Sequence, residues 1–237
     1  MATLHPIQAR ARAQDAAPGR APYVAARDRV EDYFDRTATR TWERLTSDAP
    51  VSRIRETVRA GRDRMRDLIL SRLPDDLSGA RVLDAGCGVG GMSTLLAARG
   101  AEVVGVDVSP NLLAIAERRM PKGFVPKVSF RAGDMFDPAL GRFDHVVAQD
   151  SMIYYGRDDL ASGLSRLAAP HVVFTVAPRT PLLMAMWRMG KLFPRADRSP
   201  AMVPQSVKRL ARDVPGLKDL GRVTSGFYIS QALEVRR

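Results

Sequence analysis

The sequence predicts an α/β protein with a mostly parallel sheet. Three observations carry that prediction. Short apolar runs alternate with amphipathic stretches through the middle of the chain, as in a parallel sheet covered by helices on both faces. One run, Val82-Leu83, meets Asp84 and then a turn with glycines at alternate positions: Gly86, Gly88 and Gly90. The next run, Val103 to Val106, ends in a second acid, Asp107, 21 residues beyond Gly86.

The elements follow in order. Residues 1–22 are rich in Ala, Arg and Pro without periodicity, so a disordered tail is expected over 1–25. Val30, Tyr33, Phe34, Ala38, Thr41, Trp42 and Leu45 recur at three- and four-residue steps, which predicts an amphipathic helix. Ser47-Asp48-Ala49-Pro50 supplies helix-start chemistry. Ile54, Val58, Gly61, Met65, Leu68 and Leu73 continue the period in a second helix, ended by Pro74. The two helices form an N-terminal arm over 26–74, placed to close over the ligand-bearing edge of the sheet.

The main domain spans 75–237. It reads as strand 81–84, helix 91–99, strand 102–107, helix 110–120, strand 127–131, strand 144–149, helix 157–168 and strand 171–176. Residues 181–193 read as a helix and 194–204 as a Pro- and Arg-containing loop, within an insert over about 179–204 assigned to substrate binding. A helix near 205–213 leads to two apolar stretches, 223–229 and 232–235, expected to pair antiparallel. No internal repeat is visible.

Composition narrows the class. The 237 residues suffice for one α/β domain with a substantial core. No apolar run approaches the length of a membrane span, and no secretory h-region follows Met1. The single cysteine, Cys87, excludes an intrachain disulfide and fits a reducing, cytoplasmic compartment. It sits inside the glycine turn as a small residue that fits there, not as a nucleophile. The three histidines, His5, His145 and His171, are scattered, so no protein-bound metal is expected.

The net charge of +11 is uneven. Residues 81–178 hold 10 basic and 10 acidic residues, whereas 179–237 hold 12 basic and 4 acidic, a net of +8. A positive field there would attract an anionic partner. Nucleic acid, an acidic membrane face and an anionic small molecule all qualify, and solubility alone is the plain alternative.

The glycine turn has its structural context: a strand before, a helix after and an acid closing the next strand. Such an acid is where doubly wound folds hold ribose hydroxyls. The spelling Asp84-Ala-Gly-Cys-Gly-Val-Gly resembles the first motif of class I S-adenosylmethionine-dependent methyltransferases. The resemblance implies a Rossmann-like, seven-stranded sheet with one antiparallel strand. It also implies S-adenosylmethionine as donor and S-adenosylhomocysteine as product. The donor would lie along Gly86, Cys87, Gly88 and Gly90, with Asp84 orienting the turn and the methionine amino group. Asp107, with Val108 beside it, would take the ribose. Asp134, ending the strand near 127–131, would accept from the adenine amino group, with the Met135 amide on the ring. Gln149, at the end of the strand over 144–149, completes the set.

The flanks resemble a narrower family. Asp32-Tyr33-Phe34-Asp35-Arg36-Thr37 with Trp42-Glu43-Arg44-Leu45 is similar to the N-terminal arm of magnesium protoporphyrin IX O-methyltransferases of bacteriochlorophyll and chlorophyll synthesis. So are the residues from Phe174 through Pro178 and Pro181 to Leu183, and Gly190 to Pro194 with Arg198-Ser199-Pro200-Ala201. The resemblance runs from about residue 30 to the end. It implies methyl transfer to one propionate carboxylate of magnesium protoporphyrin IX, giving the monomethyl ester; the magnesium belongs to the substrate. A carboxylic acid with pKa of about 4 to 5 is already ionised at neutral pH, so no general base is required.

The sequence departs from that family at two places. Chlorophyll-type members carry a His-Tyr pair where Tyr154-Tyr155 stands here, and an arm tyrosine where Thr46 stands. Tyr154, Tyr155 and Thr46 are therefore the catalytic candidates. The tyrosines would orient the carboxylate or pack on the macrocycle; ordinary strand-end packing is the alternative. Substrate candidates are Tyr33, Trp42, Arg44, Arg179, Met186 and Trp187. The Met and Trp surface of 181–193 suits a flat ligand or, equally, a core helix.

The family context implies further partners: the porphyrin-binding subunit of magnesium chelatase, and peripheral contact with the cytoplasmic or photosynthetic membrane through anionic lipid. Three alternatives remain. A methyltransferase of another small molecule, such as a quinone, would share every donor motif. An RNA methyltransferase fits the charge, but the loop Gln149-Asp150-Ser151-Met152-Ile153-Tyr154 lacks the prolines of base-flipping enzymes, so no nucleic-acid partner is expected. A non-enzymatic protein that keeps the donor pocket for regulation or scaffolding is the third, and Asp107→Ala should abolish donor binding if the pocket is used at all.

Overall fold

The computed structural model describes residues 21–39, 42, 43, 46, 52–181, 183–185 and 200–237. Its centre is a seven-stranded sheet in the order β3-β2-β1-β4-β5-β7-β6. The strands are β1 (Arg81–Ala85), β2 (Glu102–Asp107), β3 (Val128–Ala132), β4 (His145–Ala148), β5 (His171–Val176), β6 (Leu217–Ser225) and β7 (Tyr228–Arg236). β7 runs antiparallel to both β5 and β6, and the pairs among β1 to β5 are parallel.

Two-residue periodicity splits the core across the sheet. Leu83, Val104, Val146 and Phe174 bury on one face, with Leu160, Leu164 and Leu210. Val82, Val103, Val147 and Val173 bury on the other, with Met65, Ile69 and Leu96. Strands buried on both faces need continuous apolar runs, which is what β1, β2 and β5 carry.

The helices are α1 (Ala21–Asp32), α2 (Arg53–Leu70), α3 (Gly91–Ala98), α4 (Pro110–Arg119), α5 (Arg157–Arg166) and α6 (Val207–Asp213). In α2, Gly61, Met65 and Ile69 follow at four-residue steps and are buried. Full burial of Met65 and Ile69 stabilises by roughly 1.5–3 kcal/mol each. The helix leaves its path at Ser71, three residues before Pro74. In α4, Ser109 caps the N-terminus by accepting from the Leu112 amide at 3.2 Å, and Pro110 pre-sets the first turn.

Several expectations move. The tail expected over 1–25 lies outside the described residues as far as 20, and from Ala21 the chain is helical, with Tyr23 buried. The first arm helix therefore starts earlier than its apolar period, and becomes a wider π-helical turn over Tyr33–Ala38. The helix start read at 47–50 falls outside the described residues. The fourth strand stops at Ala148, because Asp150 takes a left-handed backbone (φ 57°). The apolar stretch 223–229 is not one strand: it spans the turn at Gly226 (φ 57°) between β6 and β7. Within the predicted helix 181–193, residues 181 and 183–185 are helical and the remainder lies outside the described residues.

Candidate active site

Ligands in open parallel sheets sit beyond the carboxyl ends of the strands. Here those ends, roofed by the arm, surround a cavity of about 380 Å³. Asp84, Asp107 and Asp134, from β1, β2 and the segment after β3, all line it. So do Gly86, Cys87, Gly88, Val108, Met135 and Gln149. Gly90 packs behind the turn, where an added Cβ would meet Ala116 and Phe130 at 3.0 Å.

The floor is the turn after β1. The Gly86 and Cys87 amides both donate to the Val106 carbonyl, at 2.7 and 3.0 Å, so the turn is stitched to β2. Gly86 has φ 79°, and a Cβ there would lie 2.1 Å from the Ser151 Cβ. Only glycine fits. The Asp84 carboxylate accepts from Ser93 Oγ at 2.6 Å. Burial pushes its carboxyl up to about 7, with the Asp107 charge adding to the rise. The Asp107 carboxylate accepts from the Gly88 and Ser109 amides, each at 2.9 Å, which fixes its plane at the end of β2. Burial raises this carboxyl too, and the two amides oppose the rise. Burial also raises the Cys87 thiol, which keeps it protonated and unreactive.

Asp134 accepts from the Phe136 amide at 2.8 Å and from the Tyr23 hydroxyl at 2.5 Å. Tyr23 stacks beside Tyr155, centroids 5.1 Å apart, and near Phe136 at 6.1 Å. Tyr155 is 2% exposed and belongs to the core cluster. Tyr155 also lines the cavity, so its ring packs in the core while the residue borders the site, and both the orienting and the packing role expected for it have a place in the geometry. Tyr154 sits on the turn Met152–Tyr154, lines the cavity and meets the edge of Phe34 at 6.1 Å. Burial raises its phenol, so Tyr154 stays neutral.

The arm supplies Val30, Phe34, Trp42 and Thr46 to the wall. Trp42 lies between Phe34, 5.5 Å away, and the Arg62 guanidinium, 4.5 Å from its ring centre. Thr46 donates to the Trp42 carbonyl at 2.7 Å and accepts from Arg119 at 3.2 Å, a turn-closing role. Asp35 accepts from Ser109 Oγ at 3.0 Å and the Asn111 amide at 3.2 Å. A carboxylate at the start of α4 is favoured by the helix dipole, so the arm docks where Asp107 ends its strand.

Other candidates fall elsewhere. Tyr33 packs on Phe34 at 5.2 Å and is not among the residues lining the cavity. Arg179 is exposed and lines a shallow depression with Arg157, Asp158 and Arg209, outside the main cavity. Arg44, Met186 and Trp187 lie outside the described residues. Sequence reading missed Tyr23, Asp150 and the row Arg59, Arg62 and Arg66, which recur at three and four residues along α2 and line the cavity. Their helical spacing was a readable signal; the tyrosine and the aspartate offered none. Gln149, expected at the donor, also anchors α2 through its Nε2 on the Arg62 carbonyl at 2.8 Å.

Among the described residues no group of three or more His, Cys, Asp and Glu is placed to hold a metal ion. Among them, too, no helix is long and apolar enough to cross a membrane.

Comparison with known proteins agrees with this layout. A family model described as "Magnesium-protoporphyrin IX methyltransferase C-terminus" matches residues 148–237, and one described as "Methyltransferase domain" matches 82–170. The chain is 56% identical over 219 residues to a magnesium-protoporphyrin O-methyltransferase of Rhodobacter capsulatus, covering 90% of this chain and 98% of that one. It is 31% identical to the chloroplastic magnesium protoporphyrin IX methyltransferase of Arabidopsis thaliana, covering 86% of this chain and 69% of that one. Among solved structures, a magnesium protoporphyrin IX methyltransferase from Synechocystis PCC 6803 with bound SAH superposes with a TM-score of 0.74 at 28% identity, covering 88% of this chain and 98% of that one.

Proposed function

The chain belongs to the magnesium-protoporphyrin O-methyltransferase family, and from that premise we propose how its own residues perform the transfer. The enzyme moves a methyl group from S-adenosylmethionine to a propionate carboxylate of magnesium protoporphyrin IX, leaving S-adenosylhomocysteine and the monomethyl ester. One observation carries the assignment of roles: three acids at the ends of adjacent strands converge on one cavity, each with its carboxylate held by named donors.

The residues present fit the donor. Asp84, buried beside the glycine turn, would hold the methionine ammonium. Asp107, its plane fixed by two amides, would accept from the ribose hydroxyls. Asp134 would accept from the adenine amino group. When bound, S-adenosylmethionine supplies an electrophilic methyl carried on a sulfonium. The protein's remaining tasks are to strip water from the acceptor oxygen, align it and keep water out. Trp42, Phe34 and Tyr154 form an apolar wall suited to dehydrating a carboxylate. Tyr154, neutral through burial, can donate a hydrogen bond to that carboxylate without competing for its charge. No base is needed, so the absence of an imidazole at position 154 costs the reaction nothing.

The arginines of α2 would receive the propionate that does not react. They are Arg59 and Arg66, which line the cavity on the α2 side; Arg62 beside them pairs with Asp150. The basic C-terminal quarter supports two further proposals: receipt of the porphyrin from the chelatase subunit that binds it, and contact with anionic lipid. Salt-sensitive co-sedimentation with anionic vesicles tests the second.

The decisive experiment incubates purified protein with magnesium protoporphyrin IX and S-adenosylmethionine and reads the product by mass spectrometry. A monomethyl ester is expected. Its absence, with S-adenosylhomocysteine binding intact, overturns the acceptor assignment.

A further inference from the structure

We propose that Tyr23 is a positioning residue for Asp134, through which α1 sets the selectivity of the donor site for an adenine ring. The inference rests on the reading above that Asp134 faces the adenine amino group.

Tyr23 comes from the first helix of the arm, 111 residues from Asp134 in sequence. It is 3% exposed, and its hydroxyl donates to Asp134 Oδ1. The Phe136 amide donates to the same oxygen at 2.8 Å. Two donors on one oxygen fix the plane and rotamer of a carboxylate. A carboxylate only accepts hydrogen bonds, so in that fixed plane it favours an N–H on the ligand and repels a carbonyl oxygen. Adenine presents an amino group at the position where hypoxanthine presents a carbonyl. Burial raises the Tyr23 phenol well above its ordinary value, so its proton stays in place across the working pH range. The ring is held independently by Tyr155 and Phe136, and Arg166 lies 5.8 Å from its centre. The hydroxyl can therefore be removed while the packing stays.

Tyr23→Phe makes that change. Titration calorimetry gives the affinities for S-adenosylhomocysteine and for S-inosylhomocysteine, its deaminated analogue. The wild type binds the adenosyl compound more tightly. In Tyr23→Phe that preference falls about tenfold, the size of one lost hydrogen bond to a charged group. Equal weakening of both ligands, or an unchanged preference, overturns the proposal, because a structural role alone would not distinguish amino from carbonyl. Asp134→Asn separates the two layers. If it keeps the full adenosyl preference, Asp134 does not read adenine and the proposal falls with its premise. If it loses the preference while Tyr23→Phe retains it, Asp134 reads adenine without Tyr23. The double variant should match Asp134→Asn alone; additive losses show that Tyr23 acts by another route and also overturn the proposal.

Discussion

Arg62 and Asp150 offer a direct test of how the arm is fastened to the sheet. Their ion pair joins α2 to the loop after β4 across 88 residues, with side chains 18% and 7% exposed. Asp150 also accepts from the Tyr228 hydroxyl at 2.9 Å and from Ser230 at 3.3 Å, and its amide donates to Thr175 Oγ1 at 2.8 Å. Removing one partner of a buried pair costs about 3–5 kcal/mol. In Arg62→Met the hydroxyl bonds, worth about 0.5–1.5 kcal/mol each, still serve the stranded carboxylate. Loss of the guanidinium from the Trp42 ring adds about 0.5–1 kcal/mol. The expected destabilisation is therefore about 2–3 kcal/mol. Asp150→Asn keeps a residue that tolerates the left-handed backbone at φ 57° and leaves Arg62 partly hydrated, so it should cost less, about 1–2 kcal/mol. Because each variant breaks the same pair, the double variant should recover at least about 1.5 kcal/mol of the summed loss. Urea unfolding of the four proteins measures the cycle. Additive losses, or an Arg62→Met protein within about 0.5 kcal/mol of wild type, would refute the fastening role.

The other predictions concern the floor and wall of the cavity. Gly86→Ala places a Cβ 2.1 Å from the Ser151 Cβ at φ 79°; left-handed strain of about 1–2 kcal/mol and over-packing of about 1–3 kcal/mol should weaken S-adenosylhomocysteine binding more than tenfold, and a wild-type Kd by calorimetry sinks the idea. Asp84 keeps its proton in the folded, donor-free protein up to about pH 7, whereas the unfolded chain releases it near the ordinary value of 3.8. Its contribution to stability therefore falls as pH rises from about 4 to 7 and is flat above, and Asp84→Asn should remove that decline from the unfolding profile. An ammonium needs the ionised carboxylate, so donor affinity should rise through pH 7 with proton release, and buffer-independent binding heat at pH 6 contradicts this. Tyr154→Phe should lower kcat/KM for the porphyrin about tenfold, roughly 1.4 kcal/mol, without changing donor affinity, whereas Tyr155→Phe should stay within about twofold in steady-state assays.

How much of this was legible in the sequence depends on the range over which each feature is encoded. β2 and β5 matched their expected bounds because burial on both faces demands an apolar run, closed by Asp107 in one case. The glycine turn was legible for the same reason: its constraint is steric and local, written in Gly86 itself. β6 hid behind Lys218, Asp219 and Arg222, since a partly exposed edge strand needs few apolar residues, and the one apolar stretch in view enclosed the turn. The first residues of α1, 21–25, were read as tail because Tyr23 is the one buried anchor described there, without an amphipathic repeat to mark a helix before Val30. Tyr154 and Tyr155 stood together in sequence and both border the cavity, yet one ring meets Phe34 of the arm and the other packs with Tyr23 and Phe136 in the core, a split no local pattern announces. The cavity floor is thus coded by neighbours, and resemblance finds it. Its roof is held by Tyr23 on Asp134, Arg62 on Asp150 and Asp35 on Ser109, pairs 111, 88 and 74 residues apart. A hydrogen bond at such separation leaves no period in the chain, because neither partner needs a particular neighbour. The same non-local pairs are what a substrate must loosen if the roof opens to admit a macrocycle. On that reading their strength would set entry and exit, while the floor would set the chemistry. Weakening the Arg62 pair should accordingly change the acceptor's KM more than the donor's Kd, and the reverse order would place Arg62 on the floor.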